Sequence, residues 1–158
     1  MSTLIAPCAG ASSRYASSKP KYLYTSPCGQ PIFYKAIQPL INLHQRIVFV
    51  LLAKHDESFG ASLIIKQCFA VNGHQEPEII ITQNILNGPA HTVAFAIKQA
   101  NISGPITIKD CDSICQSKDF PIGENAVSYI DASNHEIERI NAKSSLEVDA
   151  HGKILSIK

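Results

Sequence analysis

The sequence is poor in charge. Only 17% of its 158 residues are charged, and 14 Lys+Arg against 13 Asp+Glu leave a formal net charge of +1. General nucleic-acid binders and membrane-surface binders need a basic excess, so both classes are set aside. Any anionic ligand must therefore be met by locally placed groups. Long hydrophobic runs are also missing, since none approaches the ~18 residues of a membrane span. The start, MSTLIAPCAG, has no basic leader before its apolar stretch. No signal peptide is read there, and a cytoplasmic protein is expected. There is no C-x-x-C pair and no Cys/His cluster with zinc-ligand spacing. Five cysteines, odd in number and irregular in spacing, suit reduced thiols better than a disulfide framework, with Cys111 and Cys115 read as core thiols. The P-loop pattern G-x-x-x-x-G-K-[ST] is absent, as are the second and third glycines of the dinucleotide fingerprint. The six histidines are scattered and none pairs with a nucleophile and an acid, so no triad is proposed.

What is present is enough for a core. Hydrophobic residues make up 45% of the chain, and the length is that of one domain, taken here as residues 1–158. Thr3 to Cys8 is an apolar run, read as a buried strand, and the small, polar stretch Ala9 to Ser18 is read as a loop. Pro31 opens a helix whose buried face is Ile32, Phe33, Ala36, Ile37, Leu40 and Ile41. Arg46 to Leu52 is a continuous β-branched run, expected of a parallel strand covered on both faces. A helix over Ser58 to Val71, a strand at Glu78 to Thr82, a helix at Pro89 to Ala100 and a strand at Pro105 to Lys109 follow. This alternation predicts an α/β fold, a three-layer α/β/α sandwich on a mainly parallel sheet. The last third reads as a strand at Ala126 to Ala132 and a hairpin of Leu146 to Val148 with Ile154 to Ile157, so a mixed sheet is expected. The chain stops on a strand at ILSIK, which reads as a fragment of something longer. A half-sized sheet exposes apolar surface, so a homo-oligomer is one expectation.

Three stretches carry chemistry. After the first strand come Cys8-Ala9-Gly10-Ala11-Ser12-Ser13-Arg14, with Lys19-Pro20-Lys21 behind them. Small residues offer backbone N–H groups to a phosphate, and Arg14 and Lys21 can neutralise its charge. The plain alternative is a solvated loop with two surface cations. Asp110-Cys111-Asp112 ends the fourth strand, and two carboxylates there can hold Mg²⁺ beside phosphate oxygens. The plain alternative is a polar turn. Gln83 ends the third strand, and Gly88-Pro89 opens the next helix, whose free N–H groups favour an anion or a base edge. An ordinary loop would also account for that stretch. All three loops leave one presumed parallel sheet at its carboxyl edge, where ligands of open α/β sheets bind.

On these residues the chain resembles the sugar-phosphate nucleotidyltransferases, proteins of the nucleotide-diphospho-sugar transferase type. Their opening pattern, A-G-x-G-[ST]-R, then P-K-x-L, then G-x-P-[IM], is matched by Ala9, Gly10, Ser13 and Arg14, by Pro20, Lys21 and Leu23, and by Gly29 and Pro31. Gln83, Gly88, Pro89, Ala90 and Thr92 are similar to the base-contacting stretch. Asp112 is similar to the metal-binding aspartate after the fourth strand. The matches keep their order over roughly the first 115 residues. Ser12 stands where the family has its second glycine, and Asp110 where many members carry Asn. The resemblance implies transfer of a nucleoside monophosphate from an NTP to a sugar phosphate or similar phosphorylated acceptor, with Mg²⁺ as cofactor and pyrophosphate as product. It implies that Gly10 to Ser13 cradle phosphates, Arg14 binds the departing phosphates, and Lys21 stabilises charge at the α-phosphate. It further implies that Gln83 and Gly88 read the base, while Asp112 holds Mg²⁺ with Asp110 as support or co-ligand. Envelope polysaccharide precursors are among the family's products.

Two other classes stay open at this point. An A-type glycosyltransferase using a nucleotide-sugar would also place Asp-x-Asp at a strand end, although it does not need Arg14 or Pro20-Lys21. A non-catalytic nucleotide-binding module would suit the early stop. His91, beside the nucleotide loop, is read as a solvated helix-start histidine, and Tyr22 and Tyr24 as packing residues.

Overall fold

The apolar runs form strands because each is too short for a helix and rich in β-branched residues. In the computed structural model, which describes residues 1–11, 19–114, 126, 146–151 and 153–157, these are β1 (Thr3–Pro7), β2 (Arg46–Leu52), β3 (Glu78–Thr82) and β4 (Ile106–Ile108). Helix α1 (Ile32–Ile41) joins β1 to β2, α2 (Ala53–Phe59) and α3 (Ala61–Val71) join β2 to β3, and α4 (Pro89–Gln99) joins β3 to β4. The four strands lie in the order β3-β2-β1-β4, and every neighbouring pair is parallel. Thr3 stands between Arg46 on one side and Ile106 on the other.

Period-two alternation sends each strand's residues to two faces. Leu4, Ala6, Phe49 and Leu51 pack with α1 and α3 through Phe33, Ile37, Leu40, Ile65 and Phe69. Ile5, Val48, Val50 and Leu52 pack on the other face with Val93 and Ala96 of α4. Helices on both faces of a parallel sheet make the three-layer α/β/α arrangement that the alternation predicts. β1 and β2 are covered on both sides, which is why their sequences are apolar almost without interruption.

Several elements differ from expectation. The helix expected over Ser58 to Val71 is two helices, and the first starts directly after β2. Gly60 separates them with φ +62, a left-handed conformation that a side chain disfavours, and its N–H donates to the Asp56 carbonyl at 2.8 Å. Pro31 caps α1 from just outside it rather than standing in its first turn. On β4 the burial pattern runs against hydropathy. Ile106 and Ile108 are exposed, while Thr107 and Lys109 are buried. Thr107 faces His44, whose Nε2 is 2.7 Å from the threonine hydroxyl and whose Nδ1 is 2.9 Å from the Leu40 carbonyl. Both ring nitrogens of that buried histidine are thus partnered within the core.

The chain divides into two compact units, Met1–Gly123 and Glu124–Lys158. In the second, β5 (Leu146–Val148) and β6 (Ile154–Ile157) form an antiparallel two-stranded sheet of their own. Asp149 Oδ1 accepts from the N–H groups of His151 and Lys153, both at 2.9 Å, closing the turn between them. The strand expected at 126–132 lies outside the described residues.

Phe49 sits at the centre of the first core, fully buried and edge-on to Phe33 and Phe69 at 5.7 and 6.0 Å. Phe49→Ala is expected to cost about 3–5 kcal/mol. Ile81→Thr, at a site 42% exposed, is expected to change stability by less than about 0.5 kcal/mol. Urea unfolding of the two variants checks the ranking, and equal losses would refute this assignment of the core.

Candidate functional site

The chain runs from β1 outward to β2 and β3, then returns to place β4 on the other side of β1. The strand order therefore reverses between β1 and β4. Loops leaving two such strands part in opposite directions and open a crevice at their carboxyl ends, the usual ligand site of an open α/β sheet. β1 delivers Cys8-Ala9-Gly10-Ala11 to that crevice, and β4 delivers Lys109-Asp110-Cys111-Asp112. Backbone bonds tie both to the sheet, Cys8 N–H to the Val50 carbonyl at 2.9 Å and Lys109 N–H to the Ile5 carbonyl at 3.0 Å.

The two loops are also joined covalently. Cys8 and Cys111 form a disulfide with Cα atoms 6.3 Å apart, both residues buried. This corrects the expectation of reduced thiols and of Cys111 as an unpaired core thiol. The pairing spans 103 residues, so no local spacing announces it, and only the β1–β4 pairing brings the sulfurs together. Cys115 lies outside the described residues. Cys28 and Cys68 are free thiols.

Lys21 reaches the crevice from a third element. Pro20 starts a short 3-10 helix, Lys21–Leu23, in which Tyr22 and Leu23 are buried. Their burial anchors the segment and leaves Lys21 free to point outward. Lys21 Nζ lies 3.0 Å from Asp112 Oδ2, across 91 residues of sequence, with the two side chains 47% and 45% exposed. Lys21, Asp112, Asp110 and Gly10 line a cavity of about 160 Å³ floored by Tyr22 and the disulfide. No neighbour lies within 4 Å of where a Gly10 side chain would start, and its φ is not left-handed. Neither packing nor backbone therefore demands glycine at 10, and a side chain there would take up space beside the cavity.

The sequence reading missed a fourth charged group. Lys109 is buried, and its ammonium bonds Asp110 Oδ1, the Asp110 carbonyl at 3.0 Å, the Ser113 carbonyl at 2.8 Å and Ser113 Oγ at 3.0 Å. Ser113 Oγ also lies 2.7 and 2.6 Å from the two Asp110 carboxylate oxygens. Burial alone would push the Asp110 carboxyl up. Hydrogen bonds from Lys109 and Ser113 and the Lys109 charge outweigh it and hold that carboxyl below its ordinary value. A lysine on a strand beside Asp-x-Asp is the only sequence signal that pointed to this cluster.

The other expected residues fall as follows. Ala9 is packed in the core, so only its backbone is available, whereas Gly10 and Ala11 are exposed. Ser12, Ser13 and Arg14 lie outside the described residues. Gln83, Gly88 and Pro89 are exposed on the loop between β3 and α4. Because the sheet is parallel, that loop emerges at the same edge as the crevice, but two strands from β1, about 10 Å away. Gly88 has φ +90, so the turn into α4 requires glycine. His91 is exposed, with Nδ1 2.6 Å from the Asn87 carbonyl. A larger cavity, about 650 Å³, opens at the amino ends of the strands beside Arg46, Glu76 and Glu78. Its charges are paired, Arg46 with Glu78 and Glu76 with Lys66, as are those of the smaller crevice; the smaller crevice is favoured because it lies at the carboxyl ends of the strands.

Two half-exposed carboxylates suit Mg²⁺, which takes one or two from the protein and completes its shell with water and phosphate oxygens. No group of three or more metal-ligating side chains occurs among the described residues. The crevice thus fits a metal that arrives with phosphate better than a metal caged by protein alone.

Two outcomes follow from this geometry. Dithiothreitol is expected to destabilise the protein by up to about 4–5 kcal/mol in urea unfolding, because reduction opens a loop of over a hundred residues. Cys8→Ala/Cys111→Ala is expected to show no response to the reductant, and an equal response would disprove the bridge. Burial, aided by the Lys54 charge, lowers the pKa of His55, whose Nδ1 lies 3.4 Å from the Tyr22 hydroxyl under the cavity. A group depressed in the fold stabilises above its ordinary pKa of 6.5 and loses that contribution as pH falls through the folded value. Melting temperature is therefore expected to drop on acidification below about pH 6.5, and His55→Phe should flatten the drop.

No family model matches the chain, and no curated protein matches it. Among solved structures, it is similar to the nucleoside-diphosphate-sugar pyrophosphorylase from Vibrio cholerae RC9, with 21% identity and a TM-score of 0.56. The match covers 69% of this chain and 47% of that protein, so the chain spans about half its neighbour's length. At that identity the likeness is one of fold: this chain shares the α/β fold of that structure, a parallel sheet flanked by helices.

Proposed function

We propose that residues 1–158 are the nucleotide-binding part of a nucleotidyltransferase that transfers a nucleoside monophosphate from an NTP to a sugar phosphate or similar phosphorylated acceptor. The observation that carries this reading is the meeting of Lys21 with Asp112 beside Gly10 at the point where the strand order reverses. A cation, a carboxylate and an open glycine loop are the parts that a metal–triphosphate ligand needs. The fold of the pyrophosphorylase neighbour supports the same reading.

In the proposed reaction an acceptor phosphate oxygen attacks the α-phosphorus in line. The bond to the β-phosphate oxygen breaks, and pyrophosphate leaves with the electron pair. The protein then supplies positioning and charge neutralisation rather than a covalent intermediate. Backbone N–H groups of Gly10 to Ser13 hold phosphate oxygens, and Arg14 binds the departing phosphates. Lys21 leaves Asp112 to offset charge at the α-phosphate. Gln83, Gly88 and Pro89 face the base from the third loop. Asp112 would hold Mg²⁺, which when bound offsets phosphate charge, and Asp110 supports the same turn. The location proposed is the cytoplasm. No helix among the described residues is long and apolar enough to cross a membrane.

The test is a thermal-shift series with CTP, UTP, dTTP, ATP and GTP, each with and without Mg²⁺. A base-selective, Mg²⁺-dependent rise in melting temperature is expected, equivalent to about 2.7 kcal/mol at a hundred times Kd. Asp112→Asn should abolish the Mg²⁺ dependence, and Lys21→Ala should weaken binding about tenfold by removing a charge-assisted contact. The absence of a shift with every nucleotide would sink the proposal.

A further inference from the structure

Two aspartates one residue apart stand at the crevice, and each is paired with a lysine. Exposure does not distinguish the carboxylates, since the side chains of Asp110 and Asp112 are 55% and 45% exposed. Their partners differ sharply. Lys21 is 47% exposed, and among the described residues its ammonium bonds Asp112 alone. It can swing away at little cost when a phosphate arrives. The Lys109 side chain is only 9% exposed, and among the described residues its bonds go to its own turn, Asp110 and Ser113. Its backbone is tied to Ile5 of β1, so it cannot follow a ligand outward. Drawing Asp110 away would leave a buried ammonium without its counter-charge, a far larger penalty than parting a surface pair.

We propose that Lys109 is a positioning residue that withholds Asp110 from the metal and leaves Asp112 as the one carboxylate the metal can take. Lys109 and Ser113 turn Asp110 into a structural brace for the loop. Asp112, two residues on and past the Cys111 bridge, is released by the half-exposed Lys21. The two carboxylates therefore divide into one that shapes the turn and one that binds. The proposal rests on the nucleotidyl-transfer reading for the presence of a metal. Its test uses no nucleotide, so the failure of every nucleotide to bind would overturn that reading and leave this result separately legible.

The experiment measures Mn²⁺ alone, by the enhancement of water-proton relaxation, on the full 158-residue chain. Lys109→Met is expected to tighten Mn²⁺ binding about tenfold, because Asp110 becomes a second ligand and a neighbouring cation is lost. The gain should vanish in Lys109→Met/Asp110→Asn, which conserves net charge. Lys21→Met/Asp112→Asn, equally charge-conserving, should bind at least about tenfold more weakly than that first pair deletion. A lysine that merely supports the fold would give no gain on removal. Unchanged or weaker binding by Lys109→Met, or a gain that survives Asp110→Asn, overturns the proposal, as does absence of Mn²⁺ binding in every variant. Should Lys109→Met fail to fold, Lys109→Gln keeps a hydrogen-bonding head without the charge and carries the same expectations. A thermal-unfolding cycle on Lys109 and Asp110 should show coupling of at least about tenfold in the unfolding constant, and additivity would also overturn the brace.

Discussion

β4 pairs with β1 rather than with β3, and every contact in the candidate site depends on that pairing. It reverses the strand order and opens the crevice. It sets Cys111 against Cys8 and carries Asp112 to Lys21. It also explains an oddity of β4, where threonine and lysine are buried and isoleucines exposed. The buried side of that strand serves polar partners, His44 for Thr107 and the Asp110 turn for Lys109. Hydropathy yields locally because these polar groups find complete sets of partners, which removes the penalty for burying them.

The crevice balances its own charges. Among the described residues, two carboxylates and two lysines sum to zero, in keeping with a chain whose net charge is only +1. Affinity for an anion cannot come from the long-range field of such a protein. It must come from local groups, among them the half-exposed Lys21–Asp112 pair, which can be exchanged for bonds to the incoming ligand. The disulfide adds rigidity of a different kind. It joins the β1 loop to the carboxylate turn, so neither moves without the other. The arrangement keeps the glycine-bearing loop and the carboxylate turn in register while one surface lysine stays free to move.

Much of the fold was legible because the buried strands are apolar on both faces and the helices carry a clear stripe. Arg46–Leu52 and Glu78–Thr82 were delimited in the sequence as they stand in the structure. The split at Gly60 was not legible, since the apolar period on its C-terminal side continues without a break and a left-handed glycine leaves no mark on periodicity. The residues of the site were mostly visible as types, with Lys21, Gly10, Asp110 and Asp112 all flagged by their neighbours in sequence. Lys109 was overlooked because a lysine ending a strand reads as solvated, and its burial depends on a turn that folds back over it.

Sequence alone determined the alternation of strand and helix, the parallel sense of the main sheet, and the edge at which the three loops emerge. Those follow from local periodicity and from the handedness of crossovers, both of which act over a few tens of residues. Tertiary structure decided what touches what across the long separations. The bond between Cys8 and Cys111 and the meeting of Lys21 with Asp112 belong to that class. No local rule encodes such contacts. They exist because strand order places distant segments side by side.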